Sequence, residues 1–557
     1  MKAVVHYLTF GNTVSRIMKT PLPLVIEGPN FLERVFKILN PASSMRKMLM
    51  RHDKNTGPHK EKIIMKSEKR TQSGISKYAC LFVVLFLVLF TCSVGYSQSL
   101  NNSKFLGYRG IWFTLGQVER MKHFGYSGDY GDKYSGGLSF AWSHTVAPMA
   151  LYAPEVDKTF FVYGGTTEPD TRYLMAMASY YDHANHRVPR PTIVRDQTGV
   201  DDPHDNPSIA IDDDGYIYVF VAGRGRRRPG QIFRATEPYS VDKFEKLISR
   251  EQTYSHIWHI EGKGFMHLLT LYTAGRELYW ETSGDGMDWT DSPAEDLSKL
   301  AGFGGHYQVT RLDESRQRVG SAFNYHPERD VDRRTNIYYV ETRDFGETWT
   351  TVDGKELATP LDDRDNPALV VDYEAKGKTV YITKLVYDYD GNPAILSVVS
   401  EGYMPGPKND PRIWEIVHWT GDEWKTYEVT RSDHNYDMGS LYIDGDQWTV
   451  IGPALTGPQP YHTGGEVGLW KSTDGGKTWN LEHEVTRNSS MNHSYVRRPH
   501  RPSEPFFGVW ADADSTEFSK SRLFFTDSTG DRVYMLPYTM MNDYEEPVQV
   551  YPDPDEQ

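Results

Sequence analysis

Cysteine is nearly absent from this chain: two residues, Cys80 and Cys92, in 557. That excludes a disulfide scaffold and a cysteine-based zinc module. Positive charge is also scarce, with 61 Lys+Arg against 75 Asp+Glu and a formal charge of -14. Such a chain repels phosphate backbones, so a general nucleic-acid binder is excluded. No stretch carries apolar residues at sustained helical spacing, which rules out a helical bundle. Long hydrophobic runs are missing too. The longest, ACLFVVLFLVLF from Ala79, has about 12 residues, short of the ~20 that a membrane-spanning helix needs.

That run follows a basic stretch, 15 Lys+Arg against 5 Asp+Glu in residues 1–77, and gives way to small and polar residues. The pattern is that of a signal peptide, with a basic region opening at Met65 and small Gly95 and Ser97 placed for cleavage after Ser97. Residues 1–64 read as an extension upstream of the true start, 65–97 as the signal peptide and 98–557 as a single mature domain. A signal anchor is the alternative. Cleavage removes both cysteines and leaves 460 residues with 46 basic and 70 acidic side chains. A cysteine-free acidic chain suits the periplasm or the extracellular medium, with no stable membrane span after cleavage.

Aromatic residues are abundant, 13% of the total with 36 Tyr and 13 Trp. They fall in short alternating runs, TFFVYGG at 159, YIYVFVAG at 216, NIYYVET at 336 and TVYITKLVY at 379, separated by Gly, Asp and Pro clusters. This is an all-β pattern. TRDFGETW from Thr342 and STDGGKTW from Ser472 fit the Asp box S/T-x-D-x-G-x-T-W, a tight turn with Trp beneath it. TSGDGMDW from Thr282 is a degenerate third, with Gly284 at the Asp position. A second series of polar residues precedes apolar runs at His144, His204, His256, His306, Arg364, His434 and His493, at intervals of 50 to 70 residues. Seven positions in phase predict a seven-bladed β-propeller with Asp-box turns.

Residues that precede the innermost strands crowd one mouth of a propeller's channel. The spacing therefore predicts six histidines and an arginine around one funnel, with Tyr254, Tyr307, Arg224, Arg276, Arg329 and Asn206 nearby. Arginines fork onto carboxylates or sulfates and tyrosines stack on pyranose faces, so the expected partner is an anionic saccharide. GRGRRRP at 223–229 is either part of that funnel or a solvated loop. The carboxylate pairs of a standard glycosidase are scarce. The inventory suits β-elimination from a uronic acid. Arg, Asn or His neutralises the carboxylate, a neutral His or a Tyr phenolate takes the C5 proton, and a second His or Tyr protonates the departing oxygen. That oxygen is glycosidic in a polysaccharide lyase and a hydroxyl in a dehydratase. The expected acid/base pair is His204 and Tyr254, assisted by His256 and His144. Asn206, Arg224, Arg276, His306, Tyr307, Arg329, His434 and His493 are expected to bind substrate. Elimination requires no cofactor; Zn2+ on the His cluster and a structural Ca2+ are the metals considered.

YAPEVDKTFFVYGGT (152–166), DDPHDNPSIAIDDDGYIYVF (201–220) and the Asp boxes resemble the BNR-4 group of seven-bladed propellers over most of 103–545. That group includes ulvan lyases, which cleave rhamnose–glucuronate bonds, and propellers acting on rhamnosyl-glucuronate ends, with an ulvan-oligosaccharide dehydratase nearby. The resemblance implies an exported carbon–oxygen lyase acting on a uronate saccharide derived from ulvan. In the lyases a His at the start of the second inner strand, a Tyr opening the third and an Arg ending that hairpin act together. His204 and Tyr254 match the first two. The Arg position falls near Thr273, with Arg276 three residues on, and His183 or His186 stands for a further upstream His. The alternatives are a glycoside hydrolase of rhamnosyl-uronate ends, using Asp205, Asp433 or Asp437, and a non-catalytic sugar-binding propeller. A sialidase is disfavoured, because YRGIWF at 108–113 is not its F/Y-R-I-P motif.

Overall fold

The computed structural model describes residues 99–115, 130, 133–140, 146–168, 173–289, 297–313 and 317–551. The leader segment, both cysteines and His144 lie outside them. Among the described residues no helix is long and apolar enough to cross a membrane.

The alternating runs become strands because β-branched and aromatic side chains pack on both faces of a pleated sheet. Lys158–Gly165, Ile217–Val221, Thr335–Thr342 and Thr379–Tyr387 are strands buried along most of their length. They belong to seven successive antiparallel sheets spanning 150–196, 207–250, 253–301, 308–371, 379–432, 440–484 and 492–551. The first strands of successive sheets neighbour one another and so line the axis. The chain is a seven-bladed β-propeller, as the sequence predicts.

Each blade grips the next through aromatic rings: Tyr218 on Phe265 at 4.6 Å, Trp414 on Trp470 at 6.2 Å and Tyr442 on Phe507 at 4.6 Å. Among the described residues every blade is continuous in sequence, and the one strand ladder between the first and seventh blades is short, Tyr544–Glu545 on Val188–Pro189. Phe161 and Phe506 stack at 5.3 Å between the first and seventh blades. The segment before the first blade bonds to both. Phe105 N donates to Pro191 O and Arg109 O accepts from Thr166 N on one side, while Tyr108 N and Gly110 N donate to Pro537 O and Ser521 O on the other. The Tyr108 hydroxyl, fully buried, lies 2.6 Å from Ser179 Oγ and donates to Pro189 O at 2.5 Å.

The Asp boxes join the third and fourth strands of the third, fourth and sixth blades. In the last, Asp474 accepts from Thr478 N and Oγ1 at 2.9 and 2.7 Å, and Gly476, at φ +81°, lies against Trp448. The degenerate box works with its register moved by one. Asp285, not position 284, accepts from Met287 N and Asp288 N at 2.8 and 3.0 Å, and Trp289 Nε1 donates to Gly286 O at 2.6 Å.

The second series is only partly in phase. Arg364 leads into Leu369–Val371, the outermost strand of the fourth blade, and not into the innermost strand of the fifth, which begins at Thr379. RDNP at 364 resembles HDNP at 204 because Asp-Asn-Pro initiates a turn wherever one is needed. The shared letters report turn chemistry and not blade position.

Candidate active site

One face of the propeller carries two sets of loops: those entering each innermost strand and those joining the second strand to the third. The entry loops bring His204, Tyr307 and Tyr436. The second set brings Arg224, Arg228, Tyr272, Arg276, His326 and Arg334. Tyr254 stands at the start of the third innermost strand, Thr253–Ile260. The pairing shifts register between Thr253 and His256, and Tyr254 sits at φ 54°, a left-handed conformation costly for a bulky residue. Such a bulge re-aims a side chain. It turns Tyr254 toward His204, whose ring is 6.2 Å away, and edge-on to Tyr307 at 5.4 Å.

His204 lies in a short 3-10 turn capped by Asp202, which accepts from His204 N at 3.2 Å and also engages Nδ1. Asp202 in turn bonds Arg228 at 2.7 Å. Burial and the nearby Arg224 hold His204 down at about 3, so its imidazole is neutral. Burial acts to raise Asp202, but His204, Arg224 and Arg228 outweigh it and hold the carboxylate well below its usual range. With Nδ1–H donating to an ionised Asp202, the neutral ring carries its lone pair on Nε2. Tyr254 has the opposite poise. Burial and Tyr272 raise it above the usual phenol value against the pull of Arg224 and Arg276. Its hydroxyl is 3.3 Å from Arg224 Nη1 and 3.4 Å from the Tyr272 hydroxyl.

Arg276 stands apart from the other cations. Its guanidinium lies 5.2 Å from the Tyr272 ring and 5.8 Å from the Tyr307 ring, and its buried Nε has no partner. Among the described residues its side chain makes no hydrogen bond or ion pair, whereas Arg224 and Arg228 both face Asp202. Across the funnel Arg334 is boxed by Tyr307, Tyr381 and Tyr436 at 4.6, 4.2 and 5.2 Å and donates to the Tyr436 hydroxyl at 2.7 Å. Lys133 pairs with buried Asp332. Among the described residues no group of three or more His, Cys, Asp or Glu side chains is placed to hold a metal ion.

Residues 170–432 match the model of the BNR repeat-containing family. The resemblance read from the sequence is borne out. An ulvan lyase of Nonlabens ulvanivorans is 22% identical over 326 residues, covering 50% of this chain and 64% of that protein. The chain thus spans less than two thirds of that relative's length. A structure of a PL25 ulvan lyase bound to -[GlcA(1-4)Rha3S]- is similar at a TM-score of 0.55 and 15% identity, covering 69% of this chain and 92% of that one. The polysaccharide lyase Uly1 gives 0.52 at 10% identity, covering 79% and 98%. These likenesses are of fold, and they agree on the propeller.

Of the twelve side chains expected at the site, five converge: His204, Tyr254, Arg224, Arg276 and Tyr307. Arg329 is exposed at the edge, beside Gly275. His434 lies one step back, where its Nδ1 accepts from Tyr436 N at 3.2 Å and so shapes the loop that carries Tyr436. The others do not join them. His256 is fully buried in the innermost strand, with Nδ1 2.9 Å from Thr310 Oγ1. His306 bonds Asn324 O at 2.9 Å and packs between Phe303 and Phe323. Asn206 donates to Leu138 O and Ser139 O at 2.9 and 3.2 Å, under a glycine, Gly164, that leaves room for its carboxamide. His493 accepts from Trp510 Nε1 at 3.0 Å and meets Ser489 Oγ at 2.9 Å, inside the seventh blade. His144 lies outside the described residues. His183 is no upstream partner either, since Thr159 and Glu504 O engage both its nitrogens at 2.7 Å. The run at 223–229 divides: Arg224 and Arg228 turn inward, while Arg226 is exposed against Glu251.

Sequence reasoning passed over Asp202, Arg228, Tyr272, Arg334, Tyr436 and Lys133. One signal was available. The loops GRGRRRP, YTAGR and YHPERDVDRR each follow the second strand of successive blades and each carries arginine.

Proposed function

We propose that the protein is a carbon–oxygen lyase that performs β-elimination on a uronate-containing saccharide, with an ulvan-type rhamnose–glucuronate chain as the substrate class. The observation that carries this reading is Arg276: a charged guanidinium held between tyrosine rings, without a counter-ion among the described residues, beside a neutral histidine and a protonated tyrosine. A uronate carboxylate supplies the missing partner. Its neutralisation acidifies the C5–H bond.

The poise of the two acid/base groups assigns their roles. His204 Nε2 takes the C5 proton, and Asp202 stabilises the imidazolium that forms. The C5–H electrons become the C4=C5 double bond, the C4–O4 bond breaks, and the Tyr254 hydroxyl gives its proton to O4. The lyase-like relatives support a glycosidic O4 as leaving group; loss of water from a free 4-hydroxyl is the dehydratase outcome of the same step. No metal takes part in this step. The leader ahead of Ser97 supports an exported enzyme, which N-terminal sequencing of the mature protein checks.

His204→Ala and Tyr254→Phe should each lower the elimination rate at least ~10²-fold. The readout is the ultraviolet absorbance of the unsaturated uronate. Near-wild-type rates in either variant would overturn the assignment. New reducing ends without that absorbance would indicate a hydrolase instead.

A further inference from the structure

A cavity of about 410 Å³ opens where the ring closes, and four stretches of chain build it. Lys104 comes from the segment before the first blade, and Lys158, Tyr180 and Arg190 from that blade itself. Tyr239 and Asp242 belong to the loop joining the third and fourth strands of the second blade. Asp543 and Tyr544 come from the end of the seventh. Loops from third strands to fourth lie at the opposite end of the blades from the active-site loops. None of the groups assigned to the elimination lines this cavity.

Three tyrosines form its walls. Tyr180 lies on the third strand of the first blade, Met175–Asp182, opposite Phe160. Tyr544 pairs with Pro189 in the ladder between the first and seventh blades, yet remains 43% exposed. Tyr239 is held at φ 52°, a costly conformation for a bulky residue. Its ring lies over Gly215, where a Cβ would come within 2.4 Å, and stacks on Phe160 at 6.5 Å. That packing fixes the ring's place in the wall.

Three cations and two carboxylates line the cavity, and the carboxylates are taken. Asp242 pairs with Lys104 Nζ at 2.6 Å and Asp543 with Arg190 Nη1 at 3.2 Å. Lys158 is the cation left over. Its cross-strand neighbour Asp182 directs its carboxylate to Asn185 N and Nδ2 at 3.1 and 2.9 Å. Lys158 Nζ sits instead 4.3 Å from the centre of the Tyr180 ring. Among the described residues it makes no hydrogen bond or ion pair. A chain of formal charge -14 thus carries a tyrosine-walled cavity of positive charge.

We propose that this cavity is a non-catalytic site for a second stretch of an anionic saccharide chain, a ligand class that rests on the proposed function. Lys158 Nζ meets a carboxylate or a sulfate while the tyrosine rings flank a pyranose, in a volume typical of small-ligand sites. A long chain engaged here stays near the active site, whereas a short oligosaccharide gains nothing.

Affinity electrophoresis of the whole protein through gels containing ulvan, against polymer-free gels, tests the site. A His204→Ala background spares the polymer. Adding Lys158→Glu should weaken retention ~10-fold, and adding Tyr544→Ala should weaken it in the same direction. A loss on ulvan but not on desulfated ulvan assigns the Lys158 contact to sulfate, and a loss on both assigns it to the carboxylate; either supports the site. With His204 restored, Lys158→Glu should leave elimination on a short oligosaccharide unchanged. Retention indifferent to both substitutions, or equal retention by neutral dextran, would overturn the site. The two claims fail separately. Lys158-dependent retention of a protein that performs no elimination keeps the site and removes the proposed function. Elimination with retention indifferent to Lys158 and Tyr544 does the reverse.

Discussion

His204 and Tyr254 are legible in the sequence because each stands in a recognisable local frame, one after a DDP turn and the other opening an aromatic strand. Asp202, Arg334 and Lys133 are not, because each acts through a partner the pattern does not mark: Arg224 and Arg228 for Asp202, tyrosines of neighbouring blades for Arg334, and Asp332 for Lys133. The spacing suggested a histidine-rich funnel, yet burial assigned most of those histidines to packing, since a neutral imidazole satisfies a hydroxyl or carbonyl inside a blade as readily as it binds a sugar. The cation that matters most is Arg276. Arg276→Lys keeps the charge but loses the planar fork, so kcat/KM on a uronate oligosaccharide should fall at least ~10-fold. Unchanged kcat/KM would remove Arg276 from the site. The pH profile tests the base. Because the folded-state pKa of His204 is held at about 3, kcat/KM measured from about pH 4 upward should show no acid limb at the ordinary histidine value. A limb near that value would mean that another group is the base.

At the scale of strands and turns, the Asp boxes were readable from spacing, and even the degenerate one forms its turn once Asp285 replaces the missing position. The reading failed where a turn motif was taken for a blade marker, at Arg364. Bulges were also invisible to sequence, because a one-residue slip leaves the pattern of residue types intact while exchanging the faces. The boxes are structural. Trp349 is 1% exposed under the second box and meets Trp280 edge-on at 5.4 Å. Trp349→Ala should cost about 3–5 kcal/mol in urea unfolding, with the active-site groups intact. A cost below about 1 kcal/mol would show that the box folds without its tryptophan.

For the molecule as a whole, ring closure depends on the segment before the first blade. Tyr108→Phe leaves Pro189 O without its buried donor and should destabilise by about 1–3 kcal/mol; an unchanged urea midpoint would contradict that role. Acid sensitivity is a second global property. His204, His434 and His493 are held near about 3 and His306 near about 4, chiefly by burial. The stability these groups contribute is present in full above the unfolded histidine value and is lost as pH falls toward the folded ones, at about 1.4 kcal/mol per pH unit for each group. Asp205, raised by burial to about 7, has the opposite sign: its contribution is lost as pH rises from the unfolded aspartate value through 7. Urea unfolding at about pH 5 should therefore show lower stability than at about pH 7, because among the described residues eight histidines held below their usual value oppose five carboxyls held above theirs.

The central claim is elimination at a uronate. It is tested most directly by incubating the purified protein with ulvan and with ulvan oligosaccharides, following ultraviolet absorbance and product mass together. The account predicts rising absorbance with unsaturated uronate products, from chain cleavage or from loss of water in an intact oligomer. Saccharide cleavage without that absorbance, or no change in either substrate, would contradict it.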